Sequence, residues 1–361
     1  MQIKRFGFFA FLFALSLTAY AGDGHDSHEN HEAHGEKSIK EQIKEVKEHH
    51  LKDSHSFHLW GDHAKGNSVE FPLPIILWDG QLHFFWSSEF HHNANAVVES
   101  KGSHFRLYHS KIYKTEADGE IIYDEDHHAL NEKPIDFSIT KTVFSTILVG
   151  LLMFWMFRSI AKRYTKDLVP RGLSKFIEPL IILVRDDIAR PNIGEKNYKR
   201  YMPYLLTVFF FIWIANLIGQ TPLGINITGN IAVTFGLALI TFFITQFSGK
   251  KDYWAHIFWM PGVPYLMRLV LMPIEILGLF VKPFSLMIRL YANILAGHTV
   301  IISIIGLIFV FGAWGAKGAF FGLTFFLSII ELLVAFLQAY IFTMLSALYF
   351  GSAVEEHDEH H

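Results

Sequence analysis

Long apolar segments alternate with polar connections over the last two thirds of this chain. Five segments after Pro134 are apolar enough to cross a lipid bilayer: residues 139–158, 201–219, 229–248, 269–311 and 318–350. One crossing needs about 20 apolar residues, so the last two segments must either tilt strongly or break. The pattern predicts an all-α polytopic membrane protein of about five transmembrane helices, the last two long and tilted.

The first 135 residues follow a different pattern. Two basic residues, an apolar run and then small residues predict a cleavable signal peptide over residues 1–21. The alternative is a retained first membrane helix, although the run is shorter than a bilayer crossing requires. Residues 22–66 are polar and rich in His, Lys and Glu, which predicts disorder. Residues 67–135 contain short apolar and aromatic runs, which predict a small exported domain of β-hairpins.

Two hairpins are expected in this exported domain. PIILW and QLHFFW flank Asp79-Gly80, and FRLYHSKIY and EIIY flank Ala117-Asp118-Gly119. Asp-Gly between two runs of strand-forming residues is a strong hairpin signal, because Gly readily adopts the positive φ that tight turns need.

The charges of the connections predict the orientation of the chain in the membrane. Residues 158–200 contain eleven Lys and Arg against five Asp and Glu, whereas residues 220–229 contain no charged residue. The positive-inside rule places 158–200 in the cytoplasm and the N-terminal domain outside. Five crossings then put the C-terminus, with a tail over 356–361, in the cytoplasm. Within the basic connection, SKFIEPLIILVRDDIA predicts an amphipathic helix that lies along the membrane surface.

The polar N-terminal segment carries a regular row of histidines. His25, His28, His31 and His34 are three residues apart, and neutral imidazoles bind zinc or copper. Two interpretations are open: a metal-binding segment, and a solvated tail in which nothing holds the imidazoles on one side. The chain has no cysteine. Disulfides, zinc–thiolate sites and cysteine nucleophiles are therefore excluded.

Five polar side chains interrupt the last two apolar segments. Arg289, Asn293 and His298 lie in the fourth segment, and Glu331 and Gln338 in the fifth. On a helix, Asn293 shares a face with Arg289, while His298 points roughly the opposite way. Glu331 and Gln338 are seven residues apart and form one stripe that can face the preceding helix. Ionisable groups inside a membrane are costly, so they usually face protein or water and have a function.

The residue types suggest what these groups do. An arginine stays charged where burial neutralises a lysine, so Arg289 can be a permanent positive charge in a medium of low dielectric constant. It can draw the proton from a passing carboxylic acid and release the carboxylate when another proton arrives. His298 and Glu331 can take up and give off protons near neutral pH, which suits a water-filled proton path. Snorkelling of Arg289 to an interface is the structural alternative.

Two strings of residues resemble a known family. PFSLMIRLYANILAGHTVI, residues 283–301, resembles the signature of subunit a of F-type ATP synthases, and ELLVAFLQAYIFTMLSALY, residues 331–349, resembles the final helix of that family. Weaker similarity extends through RSIAKRY at 158–164 and VTFGLAL at 233–239. The resemblance covers roughly residues 137–355, so a membrane domain is expected over 136–355. Nothing in the family describes the exported domain before it.

The resemblance implies a role for each polar residue. Arg289 matches the indispensable arginine of the family, Asn293 its neighbouring amide, and Gln338 the glutamine that approaches it from the last helix. His298 and Glu331 match a coupled pair in the outward-facing half-channel, with acid and histidine exchanged relative to many bacterial members. The family implies a proton-conducting stator with two half-channels in the bacterial inner membrane. Its partners are the rotor ring of c subunits, the peripheral-stalk b subunits and, through the complex, the F1 head.

Two rival functions belong to other classes. The first is a secondary transporter or metal exporter, with the His-rich segment as a metal collector, although the inverted repeats common in transporters are not visible. The second is a structural membrane anchor for the β domain, which leaves the intramembrane polar residues unexplained. No cofactor and no nucleic-acid partner are expected, and the chain is not expected to be an enzyme by itself.

Overall fold

The computed structural model describes residues 53–60, 69–92, 97–108, 111–124, 129–164, 172, 174–221, 225–259, 264–310 and 314–355. The predicted signal peptide, the C-terminal tail and His25, His28, His31 and His34 lie outside the described residues. The chain divides into two compact units. The first is Met1–Ile147 with Thr221–Ile225, and the second is Leu148–Gln220 with Asn226–His361.

The described part of the first unit is built from short antiparallel strands and one short helix. The strands are β1 (Ser56–Trp60), β2 (Val69–Pro72), β3 (Pro74–Trp78), β4 (Leu82–Trp86), β5 (Val97–Ser100), β6 (Ser103–Tyr108), β7 (Lys111–Thr115) and β8 (Ile135–Asp136), and the helix is α1 (Ser88–His92). They form three sheets with the strand orders β1-β2, β4-β3-β8 and β5-β6-β7. β1 falls within the segment predicted to be disordered. That prediction is therefore wrong for Ser56–Trp60, which gains backbone hydrogen bonds by pairing with β2.

Side chains along the strands point alternately inward and outward, and the inward ones form the core of this unit. β4 buries every second residue, and its inward side chains meet those of β3, β5, β6 and β7. The core consists of Ile75, Leu77, Phe85, Phe90, Val98, Phe105 and Ile112. His83 is buried with them, 4.9 Å from the Phe105 ring in an edge-on arrangement.

One of the two predicted hairpins is confirmed and the other is wrong. β3 and β4 pair around the Asp79-Gly80 turn, with Trp78 opposite Leu82 and Gly80 at a φ of 71°. The second hairpin joins β6 to β7, with Tyr108 opposite Lys111, so the run FRLYHSKIY contains two strands. No glycine or proline interrupts that run, whereas Gly119, at a φ of 72°, follows the end of β7.

A segment near the start of the described chain is tied to the first membrane helix, α2 (Lys141–Tyr164). The Asp53 carboxylate accepts a hydrogen bond of 3.1 Å from the backbone N–H of Thr142, in the first turn of α2. It thereby caps the helix from 89 residues away, because the first turn has N–H groups without helical partners. The His55 ring, which is buried, lies 2.9 Å from the Asp136 carboxylate at the end of β8.

The second unit is helical. It contains most of α2, then α3 (Ser174–Leu183), a π-helical turn (Val184–Ala189), α4 (Arg190–Ile193), α5 (Tyr198–Gly219), α6 (Ile231–Ser248), α7 (Lys251–Trp259), α8 (Tyr265–Val310) and α9 (Trp314–Val354). α9 packs against α5 and α8, and α8 also packs against α6. At its C-terminal end, Gly351 lets the backbone of α9 approach the carbonyl of Asn192 in α4 more closely than any side chain would permit.

Five of the described helices, α2, α5, α6, α8 and α9, are long and apolar enough to cross a membrane, which confirms the predicted number. The two long segments are unbroken helices of 46 and 41 residues. A straight helix of that length measures about 60–70 Å, roughly twice the thickness of the hydrocarbon core. A tilted orientation for both, and an interfacial position for α3, stay predictions.

Asp136 makes the stability of the first unit dependent on pH. Burial alone would raise the pKa of this carboxyl, but hydrogen bonds from His55 and Ser138 hold it below the ordinary value of 3.8. A lowered carboxyl pKa stabilises the fold above the unfolded pKa, and that contribution is lost as the pH falls through the folded value. The contribution is therefore complete at neutral pH, begins to be lost below about pH 4 and is gone only below the folded pKa.

We expect Asp136→Asn to destabilise the first unit by about 1 kcal/mol at neutral pH. A hydrogen bond to a buried charge contributes ~1.5–3 kcal/mol, and water reduces this for a partly exposed carboxylate. Hydrogen-exchange protection of the amides in β1, β8 and the first turn of α2 measures the effect. The difference from the unmodified chain should shrink as the pH approaches 3, while Glu116→Gln, at an exposed position, should change nothing. An unchanged protection pattern at neutral pH would contradict the assignment.

Candidate functional site

The side chains of Arg289 and Asn293 lie on a face of α8 that the rest of the chain leaves uncovered. Both residues are exposed, whereas Leu290 and Ile294, their next neighbours along the helix, are buried. The arginine and the amide therefore share one face, as the helical spacing predicted. A charge on the open face of a membrane helix needs a polar partner from outside the helix.

His298 and Glu331 lie close together on the inner side of α8 and α9. The Nε2 atom of His298 is 3.9 Å from Oε1 of Glu331, and the two side chains are 16% and 10% exposed. Within the described part of the chain, Oε1 of Glu331 is buried and accepts no hydrogen bond from protein. The 3.9 Å separation is longer than the ~2.6–3.2 Å needed for direct proton transfer, so a small side-chain movement must bring the imidazole and the carboxylate together before a proton can pass between them.

Gly297 makes room for the Glu331 carboxylate. A Cβ atom at position 297 would lie 2.9 Å from Oε1 of Glu331, closer than such atoms approach in folded proteins. Gly297, next to His298, therefore allows the Glu331 carboxylate of α9 to approach the backbone of α8 closely. Other glycines of these helices differ, since a Cβ at Gly278, Gly318 or Gly322 would meet nothing within 4 Å.

A second buried polar group lies on α9, two helical turns after Glu331. Gln338 is 4% exposed, and between the two residues the backbone carbonyl of Ala335 is 3.5 Å from the amide nitrogen of Asn216 on α5. The Asn216 amide oxygen accepts a hydrogen bond of 2.6 Å from the hydroxyl of Thr228. Asn216 and Thr228 are almost completely buried. Neither residue is among the predicted site residues, although an Asn within an apolar run is itself an intramembrane polar signal.

A different polar region lies on the other side of Arg289 along α8. The Lys282 ammonium is 5.7 Å from the centre of the Tyr349 ring on α9, and Arg289 is near enough to interact electrostatically with the same phenol. Lys282 and Tyr349 are part of a crevice between α6, α7, α8 and α9. Its other polar lining residues are Thr241, Thr245, Gln246 and Tyr253.

The structure thus places the predicted residues in two groups. Arg289 and Asn293 lie on an open face, and His298 and Glu331 lie together in the interior, with Gln338 buried farther along α9. Among the described residues there is no group of three or more side chains able to hold a metal ion. The four histidines proposed as a metal site lie outside the described residues.

Comparison with known proteins identifies relatives of the helical part. The family model of the ATP synthase A chain matches residues 143–351. ATP synthase subunit a of Chloroherpeton thalassium is 45% identical over 233 residues, which cover 62% of this chain and 69% of that protein. The subunit a of Anaeromyxobacter dehalogenans is 45% identical over 237 residues, and that alignment covers 63% of this chain and 61% of the relative. The subunit a of Myxococcus xanthus is 41% identical over 247 residues, with coverages of 66% and 81%.

The part of the chain before the first membrane helix matches a different family model. A domain of unknown function matches residues 46–137, which include the eight strands that the structure describes in the first unit. The boundary between the two matched regions falls at the beginning of α2.

The Asn216–Thr228 contact should be worth a measurable part of the stability of the second unit. We expect Asn216→Ala to reduce it by about 1–3 kcal/mol, because the buried Thr228 hydroxyl loses its acceptor. Adding Thr228→Val should recover part of the loss, since no orphaned hydroxyl then remains. Thermal unfolding of the full chain in detergent micelles, followed by circular dichroism, measures both. Thr207→Val, at an exposed position, is the control. Equal stability of Asn216→Ala and the unmodified chain would exclude the contact.

Proposed function

Since this chain belongs to the ATP synthase A chain family, we propose that it is the proton-conducting stator subunit of an F-type ATP synthase. The observation that carries the proposal is the position of Arg289. It is a permanent charge on an uncovered face of a membrane helix, with a polar region on each side of it along the helix axis. The chain performs no chemistry by itself in this proposal; it controls where protons enter and leave a partner.

The partner is a rotor ring of c subunits, each with a carboxyl group inside the membrane. When a protonated carboxyl approaches Arg289, the guanidinium stabilises the carboxylate, and the proton leaves through a water path. A proton arriving from the other path neutralises the carboxylate and releases it from the arginine. The attraction must favour ionisation without holding the carboxylate permanently.

The two polar regions fit two half-channels displaced along α8. Lys282 and His298 are sixteen residues apart, about 24 Å by the helical rise, and Arg289 lies between them. We assign His298, Glu331 and Gln338 to the outward-facing half-channel, with Asn293 beside Arg289 at its inner end. The crevice of Lys282 and Tyr349 is assigned to the cytoplasmic half-channel. A proton can then cross the membrane only by riding on the rotor between them.

The low burial of α8 and α9 supports a partner outside the chain. In the most apolar stretch of each, 11% of the residues are buried within the chain, compared with 44% in α5. We assign one open face, that of Arg289 and Asn293, to the ring of c subunits and the remainder to lipid. Peripheral-stalk b subunits and the F1 head complete the proposed assembly.

The proposed orientation follows the charges of the connections. The N-terminal unit is placed outside the inner membrane, and α3 lies along the cytoplasmic surface, since basic residues are concentrated between 158 and 200. A secondary transporter or metal exporter, the alternative function, has no support from the family matches.

Replacement of Arg289 tests the proposal directly. Arg289→Ala should abolish ATP-driven proton pumping in inverted membrane vesicles while leaving the assembled complex intact, because the exposed side chain acts on the rotor and not on the fold. Arg289→Lys should do little better, since a lysine can lose its charge in an apolar site. Arg200→Ala, at an exposed position on α5, is the matched control. Pumping at the normal rate by either Arg289 variant would refute the proposal.

Gly297 offers a second test that leaves every ionisable group in place. Gly297→Ala should displace the flexible end of Glu331 and reduce proton flux several-fold, with little loss of stability, because a side-chain end can move aside. Gly278→Ala, on the same helix but with open space around it, should pump normally. Proton flux and thermal stability are measured on both variants. Equal flux in the two would show that the position of Glu331 does not limit conduction.

A further inference from the structure

One face of the β4-β3-β8 sheet in the first unit is apolar and uncovered. In an antiparallel sheet, residues directly opposite each other point to the same side. Trp78 is paired with both Leu82 and Ile135, so these three side chains share a face. The alternation of β4 adds Phe84 and Trp86 to this face. Phe137 directly follows β8, and its backbone N–H bonds to Ile76 of β3, so we include it with Ile135, two positions earlier. The six residues Trp78, Leu82, Phe84, Trp86, Ile135 and Phe137 are called the aromatic face here.

The aromatic face is the reverse of the side that builds the core. The alternate residues of β3 and β4 are buried, whereas Phe84 and Phe137 are 58% and 65% exposed. None of its six side chains is charged. A contiguous exposed patch of this kind on a small β unit usually marks a surface that contacts a membrane or another protein.

The sheet is fastened to the beginning of a membrane helix. The backbone N–H of Phe137 donates to the Ile76 carbonyl, and that of Ile139 donates to the Pro74 carbonyl, so the connection from β8 to α2 follows β3. The Phe71 ring, from β2, packs 5.8 Å from the Phe144 ring in the first turn of α2. Lys141 comes four positions after Phe137, a distance of at most about 14 Å.

This attachment decides between the possible occupants of the aromatic face. A helix that starts four residues later and enters a bilayer holds the sheet at the level of the lipid headgroups. Trp is enriched at that level, because its ring is apolar and its indole N–H can reach the polar boundary. Phe and Leu accompany Trp on the apolar side of elements that lie in the membrane interface. A protein partner would normally also use hydrogen bonds, about one per 100–200 Å² of interface. Of the six side chains, only the two Trp indoles can donate one.

We propose that the aromatic face is a membrane-interface anchor, which seats the first unit on the phospholipid surface next to α2. This gives the domain of unknown function a binding partner of defined chemistry, the headgroup and upper acyl region of a bilayer. The proposal depends on the membrane insertion of α2 and is independent of proton conduction. The anchor can therefore be disproved while the proposed function stands, and the proposed function can be disproved while the anchor stands.

Single-cysteine labelling tests the anchor in the full chain, which has no cysteine of its own. Phe84→Cys and, as control, Ala117→Cys in an exposed turn of the same unit would carry a nitroxide label. The chain is reconstituted within its complex into vesicles of phosphatidylcholine and phosphatidylglycerol. Collisions with oxygen, which concentrates in lipid, and with a nickel chelate, which stays in water, are then compared.

The expected result is a label at position 84 that oxygen reaches and the nickel chelate does not, with the opposite preference at position 117. A label at 84 as open to nickel as the one at 117 would place the face in water and overturn the proposal. A label shielded from both reagents would overturn it in favour of a protein contact, with a second copy or another subunit.

Fluorescence of the cysteine-free chain supplies an independent reading. Vesicles containing phosphatidylcholine brominated high on the acyl chain should quench the emission of Trp78 and Trp86. That emission is obtained as the difference between the unmodified chain and the double variant Trp78→Phe with Trp86→Phe. Quenching of this difference supports the anchor, and its absence at a lipid excess contradicts it.

Discussion

The cost of an ionisable group in an apolar medium governs the arrangement of α8 and α9. Each charged or titratable side chain in these helices must face water, another polar group or a partner from outside the chain. Arg289 lies on an open face, and His298 and Glu331 lie against each other in the interior. The polar residues of one helix therefore serve two surroundings, one inside the chain and one beyond it. Successive residues of a helix point in different directions, so Arg289 and His298 face different surroundings although the backbone between them is continuous.

Close approach of the two long helices is what makes the interior pair possible. The helices can bring an imidazole and a carboxylate together only where a neighbouring position has no side chain, and Gly297 is that position. Gly351 has a comparable effect at the other end of α9, where it admits a backbone carbonyl of α4. In a bundle without strong hydrophobic driving forces between helices, such small residues determine which surfaces can touch.

The sequence predicted the features that depend on local pattern. Apolar length identified the five membrane helices, and Asp79-Gly80 identified the β3–β4 hairpin. The β6–β7 hairpin was misplaced, because the run that contains both strands has no glycine or proline in it. Helical spacing was sufficient to separate Arg289 from His298, but no spacing rule predicts that Gly297 will lie under Glu331.

Most of the structural features that the sequence did not predict are contacts between residues far apart in the chain. Asn216 reaches the carbonyl of Ala335 across 119 positions, and Asp53 caps a helix 89 residues later. Such pairings follow from the packing of whole elements, for which a single sequence carries no local signal. The aromatic residues of β4 were visible as a run, but only the register of the sheet showed that they share one uncovered side.

The continuity of α8 has a consequence for how this segment can change during evolution. Lys282, Arg289 and His298 lie on one uninterrupted helix, so their mutual positions depend on the number of residues between them as well as on their identity. Insertion or deletion of one residue between two of them would turn one about 100° relative to the other. A change in the number of residues between these positions would therefore alter the geometry even where every residue type is kept. A homologous sequence that keeps all three residues but alters their spacing would therefore have lost the geometry while keeping the motif.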